Sequence, residues 1–291
     1  MADLTTTTSA PLSREQAEAL VDAVMERDDL ALSASAYEDI ATGEWVFEAT
    51  SAEPPDLESF SELARLTLGG NVAFTSEKID PRTDWVAKSL EGLKPVAAGG
   101  FYVHGSHDAA PPSSGRIPIR IDANQAFGTG HHETTSGCLE AIDRLASRYW
   151  FRRPLDIGTG TGVLAIAIAK RLHTRVLATD IDPIAVRIAE ENAVANGVAD
   201  RVDAIAADGL AHPRILSGAP YDLVVANILA APLIRIAPAV ARVTAHNGFV
   251  VLSGLLATQA LRVQLAYARH GLTLTRKLIR GDWATLVLAK R

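Results

Sequence analysis

From residue 133 onward the chain alternates between short, nearly unbroken apolar runs and helical stretches, and this rhythm narrows the fold more than any other feature. "PLDI", "RVLATDID", "RVDAIAAD", "YDLVVANI" and "GFVVLSG" read as strands; "ETTSGCLEAIDRLASRYW", "GVLAIAIAKRL", "PIAVRIAEENAVANG" and "APLIRIAPAVARVT" read as helices. Strands without polar alternation are buried on both faces, which implies a parallel, doubly wound α/β sheet with helices on either side. The last segment, "LTLTRKLIRGDWATLVLAK", has two extended runs split by Arg280-Gly281-Asp282 and predicts an antiparallel hairpin ending that sheet.

In such a sheet ligands bind beyond the carboxyl ends of the strands, where the strand order reverses. The first strand-to-helix turn, "LDIGTGTGV", places Gly158, Gly160 and Gly162 there. A dinucleotide fingerprint needs its third glycine at the sixth position of the motif, which here is Val163. A phosphate-binding P-loop needs a lysine after the glycines, and none follows. Asp180 closes the next strand about 20 residues on, where a carboxylate can accept both ribose hydroxyls. A nucleoside lacking a pyrophosphate fits both facts, and S-adenosyl-L-methionine is the commonest such cofactor.

The first third has a different character. Residues 1–95 carry 19 acidic against 7 basic side chains, a balance of −12, whereas residues 96–291 carry 15 against 21, a balance of +6. An acidic module repels nucleic-acid backbones and attracts basic surfaces, so its partner is expected to be a basic protein. The Thr-rich start reads as disordered. "SREQ" reads as a capping box in which Ser13 faces Gln16, opening a helix over 14–27. "EWVFEAT", the helical "LESFSELARLTLGG" and the extended "VAFTSEKI" complete a small α+β unit; "RTDWVAKSLEGL" reads as a connecting helix. "HGSHDAAPPSSGR" is a loop between "GGFYVHG" and the strand "RIPIRID". The expected division is an acidic domain at 1–80, a linker with a helix at 81–98, and a larger domain at 99–291.

The N-terminus has neither a basic n-region nor an apolar core, and no stretch reaches about 18 uninterrupted apolar residues, so neither a secretory leader nor a membrane span is expected. The single cysteine, Cys138, fits a cytoplasmic location and leaves no thiolate metal cluster. Inside a helix it reads as packing, not as a nucleophile.

"FGTGHHETT" (127–135), "LDIGTGTGVLAIAIAK", "TDIDPIAVRIAEENAVANGV", "VVANILAAPL" and "LSGLLATQ" together resemble the ribosomal protein L11 methyltransferase family, from about residue 85 to the C-terminus. The resemblance implies a class I methyltransferase domain with a Rossmann-like sheet, preceded by a small ferredoxin-like domain that recognises the ribosomal protein. It implies methyl transfer from S-adenosyl-L-methionine, leaving S-adenosyl-L-homocysteine, to lysine or N-terminal amines of ribosomal protein L11. On this resemblance Thr135 and Gly158 border the methionine end of the cofactor and Gly160 lies in the same turn. Asp180 takes the ribose, Asp208 meets the adenine amino group, and Asn227 faces the methyl group as the catalytic residue. Phe127, Gly128, Thr129, Gly130 and His132 form a loop over the active site. The family usually has Thr and Pro where this chain has His131 and Glu133.

The four histidines His104, His107, His131 and His132 lack the second shell and cysteine spacing of a metal site, so no metal is expected. A class I enzyme acting on RNA or a small-molecule amine would keep the same cofactor positions and remains the alternative. A nicotinamide oxidoreductase or a non-catalytic ribosome-binding protein fits less well. No DNA or membrane partner is expected, and a monomer suffices.

Overall fold

In the computed structural model, which describes residues 5–25, 27, 30–31, 33–38, 42–51, 56–78, 95–106, 108, 115–121 and 132–291, the threonine-rich start is a strand. Disorder was the wrong expectation for it. Strand β1 (Thr5–Ser9) pairs antiparallel on both sides, with β3 (Trp45–Ser51) and β4 (Phe74–Lys78). The β-branched threonines suit a pleated backbone, and Thr5, Thr7 and Ser9 turn inward in strict alternation. Composition suggested a polar tail; the alternation is one of burial, which four like threonines do not show in sequence.

Helix α1 (Arg14–Met25) starts at the expected capping box: Gln16 N–H donates to Ser13 Oγ at 3.3 Å and Ser13 N–H to Gln16 Oε1 at 3.0 Å. It stops two residues short of the expected end. Strand β2 (Ser33–Glu38), which the sequence reading missed, pairs with β3. Helix α2 (Leu57–Leu68) is capped by Asp56 and ended by Gly69 in the left-handed region. The chain order βαββαβ with sheet order β2-β3-β1-β4 is the ferredoxin-like arrangement. Its core gathers Leu20, Val24, Phe47, Phe60 and Ala64, with the rings of Phe47, Phe60 and Phe74 within 6.2 Å of one another. This sheet belongs to one compact unit, Met1–Asp84; the remainder, Trp85–Arg291, forms the other.

The second unit opens with a three-stranded sheet: β5 (Val96–Ala98), β6 (Phe101–His104) and β7 (Ile117–Arg120), with β6 and β7 parallel. The expected connecting helix at 82–93 lies outside the described residues. The small sheet packs through Ala98, Phe101, Val103 and Ile119 into the same core as helix α3 (His132–Ala146).

The main sheet follows the predicted rhythm. Strand β8 (Pro154–Ile157) leads through the glycine turn into helix α4 (Val163–Leu172); β9 (Val176–Asp180) and α5 (Pro183–Ala195) follow, then β10 (Val202–Ala206) and a short α6 (Pro213–Gly218). Next come β11 (Tyr221–Asn227), α7 (Ala230–Val243), β12 (Thr244–Leu256), α8 (Ala260–Ala268), β13 (Leu272–Arg280) and β14 (Trp283–Lys290). The order is β10-β9-β8-β11-β12-β14-β13, with β8 to β12 parallel and β14 antiparallel to both its neighbours. The hairpin turns at Gly281-Asp282, as expected, because Arg280 still pairs with Trp283. Helix α8 was missed, although Ala260, Val263 and Tyr267 bury one face at helical spacing before the Gly271 stop. Among the described residues no helix is long and apolar enough to cross a membrane.

Candidate active site

The strand order reverses between β8 and β11, so the two chain ends that leave these strands diverge and open a crevice at their carboxyl edge. The positions singled out in the sequence fall along that edge. Gly158 and Gly160 occupy the turn after β8, Asp180 ends β9, Asp208 follows β10 by two residues, and Asn227 ends β11. Thr135 lies in the first turn of α3 and is buried.

Hydrogen bonds join these positions. Asp180 Oδ2 accepts from Gly160 N–H at 2.8 Å and its Oδ1 accepts from Asp182 N–H at 3.1 Å, so the carboxylate is held in one orientation at the strand end. Gly158 and Thr159 N–H both donate to Thr179 carbonyl, at 2.8 and 2.9 Å, which folds the turn back onto β9. Ala207 N–H donates to Asp180 carbonyl at 2.7 Å, extending the ladder so that Asp208 follows at the same edge. Asn227 Nδ2 reaches Thr134 Oγ1 at 3.4 Å and Thr135 Oγ1 at 3.5 Å. Its Oδ1 is buried and has no hydrogen-bond partner among the described residues.

The turn after Asn227 is held from two sides. Gly254, at φ +82 on β12, lies so close to Ile228 that a Cβ there would sit 2.5 Å from the Ile228 carbonyl oxygen. Gly158, at φ +68, leaves room for the Ile228 side chain, which a Cβ would overlap. Two glycines, Gly158 just after β8 and Gly254 on β12, the strands flanking β11, therefore set the path of the chain leaving Asn227. Gly254 was visible in "LSGLL" only as part of a motif, with no role attached.

Asp156 was missed altogether. It sits within β8, whose four residues are all buried, and a carboxyl inside such an apolar strand was itself the available signal. Its Oδ2 accepts from Thr159 Oγ1 at 2.6 Å and Ala165 N–H at 3.1 Å, and its Oδ1 is buried without a partner among the described residues. Burial pushes its carboxyl up to about 7, against the pull of the Thr159 and Ala165 hydrogen bonds and with a smaller push from Asp180.

Cys138 is fully buried in α3, and burial, with Asp156 nearby, raises its thiol to about 12. A thiol so far from ionisation is no nucleophile at neutral pH. Phe127, Gly128, Thr129, Gly130 and His131 lie outside the described residues, as does His107; of His132 only the backbone is described.

The donors and acceptors at this edge suit a nucleoside carrying positive charge. Asp180 and Asp208 put carboxylates at the end of β9 and just after β10, and Asn227 Oδ1 is a buried acceptor with no partner among the described residues.

Comparison with known proteins agrees with this geometry. Residues 8–291 match the family model described as ribosomal protein L11 methyltransferase (PrmA). A protein of that name from Rhizobium meliloti strain 1021 is 44% identical over 285 residues, covering 96% of this chain and 97% of its own length. One from Chelativorans sp. strain BNC1 is 52% identical over 206 residues, 71% of each chain. Among solved structures, a ribosomal protein L11 methylase from Lactobacillus delbrueckii subsp. bulgaricus superposes with a TM-score of 0.62 at 30% identity, covering 68% of this chain and all of that one.

Proposed function

Because the chain belongs to the ribosomal protein L11 methyltransferase family, we propose that it transfers methyl groups from S-adenosylmethionine to lysine side-chain or N-terminal amines of ribosomal protein L11. The observation that carries the reading is the buried, unpartnered Oδ1 of Asn227 at the carboxyl edge of β11, its amide turned toward Thr134 and Thr135. When bound, S-adenosylmethionine supplies an electrophilic methyl group on a positively charged sulfur. Thr135, Gly158 and Gly160 would border its methionine end, Asp180 its ribose and Asp208 its adenine amino group.

Asn227 Oδ1 accepts an N–H of the incoming amine and so directs the nitrogen lone pair. Being uncharged, the amide does this without forming an ion pair that would hold the cofactor in its ground state. Asp180 is preorganised by Gly160 and Asp182, so its remaining lone pairs are available to hydroxyl donors without rearrangement. A free lysine side chain has a pKa of about 10.4 and arrives as an ammonium, so a proton must leave before the nitrogen can attack. Burial next to a second positive charge lowers that pKa, and the proton passes to water. The enzyme's main contribution is alignment, which can be worth roughly 7 kcal/mol or more. Neither a covalent enzyme intermediate nor a metal is needed for such a transfer.

In the same reading residues 1–80 recognise the substrate, residues 81–98 link, and residues 99–291 carry out the transfer in the cytoplasm. The balance of −12 over residues 1–95 suits a basic ribosomal protein. The test is incubation of the full chain with L11 and methyl-labelled S-adenosylmethionine, followed by peptide mapping. Label on amines supports the reading; unlabelled L11 in the presence of cofactor that measurably binds overturns it.

A further inference from the structure

We propose that the edge of the second unit opposite the candidate site binds single-stranded RNA, with Trp150 as a stacking platform and Arg148, Arg152, Arg153 and Arg175 as backbone contacts. The segment "RYWFRR" (148–153) leads into β8 at its amino end, whereas the candidate site lies at the carboxyl end. Trp150 is 70% exposed, an unusual placement for the largest apolar side chain. Beneath it the segment is held firmly: the Tyr149 ring lies 4.7 Å from that of Phe249, and Phe151 is buried with its ring 6.1 Å from Phe249. The indole is therefore presented on a rigid base.

The charged side chains of the segment 148–153 are all arginines. Arg148, Arg152, Arg153 and Arg175 are all exposed. The loop carrying Arg175 is tied to the segment, since Thr174 Oγ1 donates to the Arg152 carbonyl at 3.4 Å. Asp222, the acid nearest in the hydrogen-bonding pattern, spends its two oxygens on Arg152 N–H at 2.6 Å and Arg153 N–H at 3.0 Å. Among the described residues none of these four guanidinium groups has an ion-pair partner, whereas Arg171, Arg187, Arg201, Arg214 and Arg280 of the same unit each face a carboxylate. Asp200, beside Arg201 in the loop before β10, is already paired.

Four unpaired arginines around an exposed indole match what single-stranded nucleic acid offers: phosphates for the planar guanidinium forks and base faces for stacking. The acidic first unit of a second copy is the protein that could compete for this surface. It offers carboxylates but no need for an exposed indole, which favours RNA. The inference stands apart from the methyl-transfer reading, since no residue of the candidate site takes part.

The test is fluorescence anisotropy of a labelled oligouridine with the full chain across a salt series. Arg152→Gln with Arg153→Gln should weaken binding at least tenfold and lower the slope of log affinity against log salt by about 1.4, at about 0.7 per lost contact. Trp150→Ala should weaken it about fivefold or more, with little change in that slope. Unchanged thermal melting of both variants shows that the fold is intact. Absence of binding to the unmodified chain, or affinity that both variants retain, overturns the proposal. So does a dimer in sedimentation that forms without RNA and that the arginine variant dissolves, which would assign the surface to a second copy.

Discussion

Asn227 at the end of β11 and Thr135 in the first turn of α3 meet at 3.5 Å across 92 positions of sequence, and Thr134 adds a second contact at 3.4 Å. The side-chain amide is thereby oriented, with its carbonyl left as a buried acceptor. Replacing Asn227 by Ala should lower kcat by about 100-fold, in the range for loss of one oriented polar group, while the Kd for S-adenosylmethionine changes only a few-fold. Steady-state kinetics beside calorimetric titration separates the two. Equal losses in both would contradict the placement of Asn227 beside the acceptor amine.

Asp180 divides the consequences the other way. Asp180→Ala removes the acceptor for Gly160 N–H as well as the proposed ribose contact, and should weaken cofactor binding by about 10- to 100-fold, corresponding to about 1.5–3 kcal/mol for a hydrogen bond to a charged group. At saturating cofactor the turnover should remain within a few-fold of the parent. Calorimetry giving an unchanged Kd would remove Asp180 from the binding site.

Gly254→Ala should be costly far from any proposed contact with cofactor. The added Cβ meets the Ile228 backbone, and φ +82 strains any other residue. A loss of about 1–3 kcal/mol in unfolding free energy is expected. Because the Ile228 turn follows Asn227 directly, kcat should fall as well. Denaturant titration and kinetics report both; a variant with full stability and activity would mean that the close approach plays no part.

Asp156 makes a pH signature. Its carboxyl is raised by burial from the ordinary 3.8 to about 7 in the folded protein, so the folded state holds a proton that the unfolded chain has lost between these values. The stabilisation is fully present below about pH 4 and is lost as the pH rises through about 7, by on the order of 4 kcal/mol. Asp156→Asn should therefore gain stability relative to the parent steadily from pH 4 to 7. Urea unfolding at several pH values checks this, and a difference that stays constant across the range would show that the carboxyl titrates normally.

Charge reversal on the first unit should affect only the protein substrate. Glu62 on α2 and Glu77 on β4 are exposed, and Glu62→Lys with Glu77→Lys should lower kcat/KM for L11 by roughly tenfold at low salt while leaving cofactor affinity intact. The difference should shrink as salt screens the field. Stopped-flow binding of L11 by the two proteins measures it directly; identical rates at low salt would detach the acidic surface from substrate recognition.

The methyltransferase sheet was legible because its parallel strands are largely apolar runs bounded by turn residues, and the glycine turn marked the carboxyl edge of β8. Helix α8 was lost between two segments that had been read as sheet, and β1 was lost because four threonines look like a tail until their alternate burial is known. Of the proposed site, Gly158 and Asp180 were read from their places at the ends of β8 and β9, and Asn227 from the family resemblance. Thr134 and Gly254 could not be read so, since what they do depends on neighbours 93 positions away in one case and on a backbone approach to Ile228 in the other. Asp156 could have been found as a carboxyl inside an apolar strand, but its raised protonation depends on burial that only the fold shows.

The most direct test of the account is labelled methyl transfer from S-adenosylmethionine by the full chain, offered separated ribosomal proteins and ribosomal RNA side by side. Label confined to the amines of L11 is the predicted result. Label in RNA, or in other proteins with L11 left unmodified, would leave the cofactor edge of the sheet standing and contradict the assignment of the substrate.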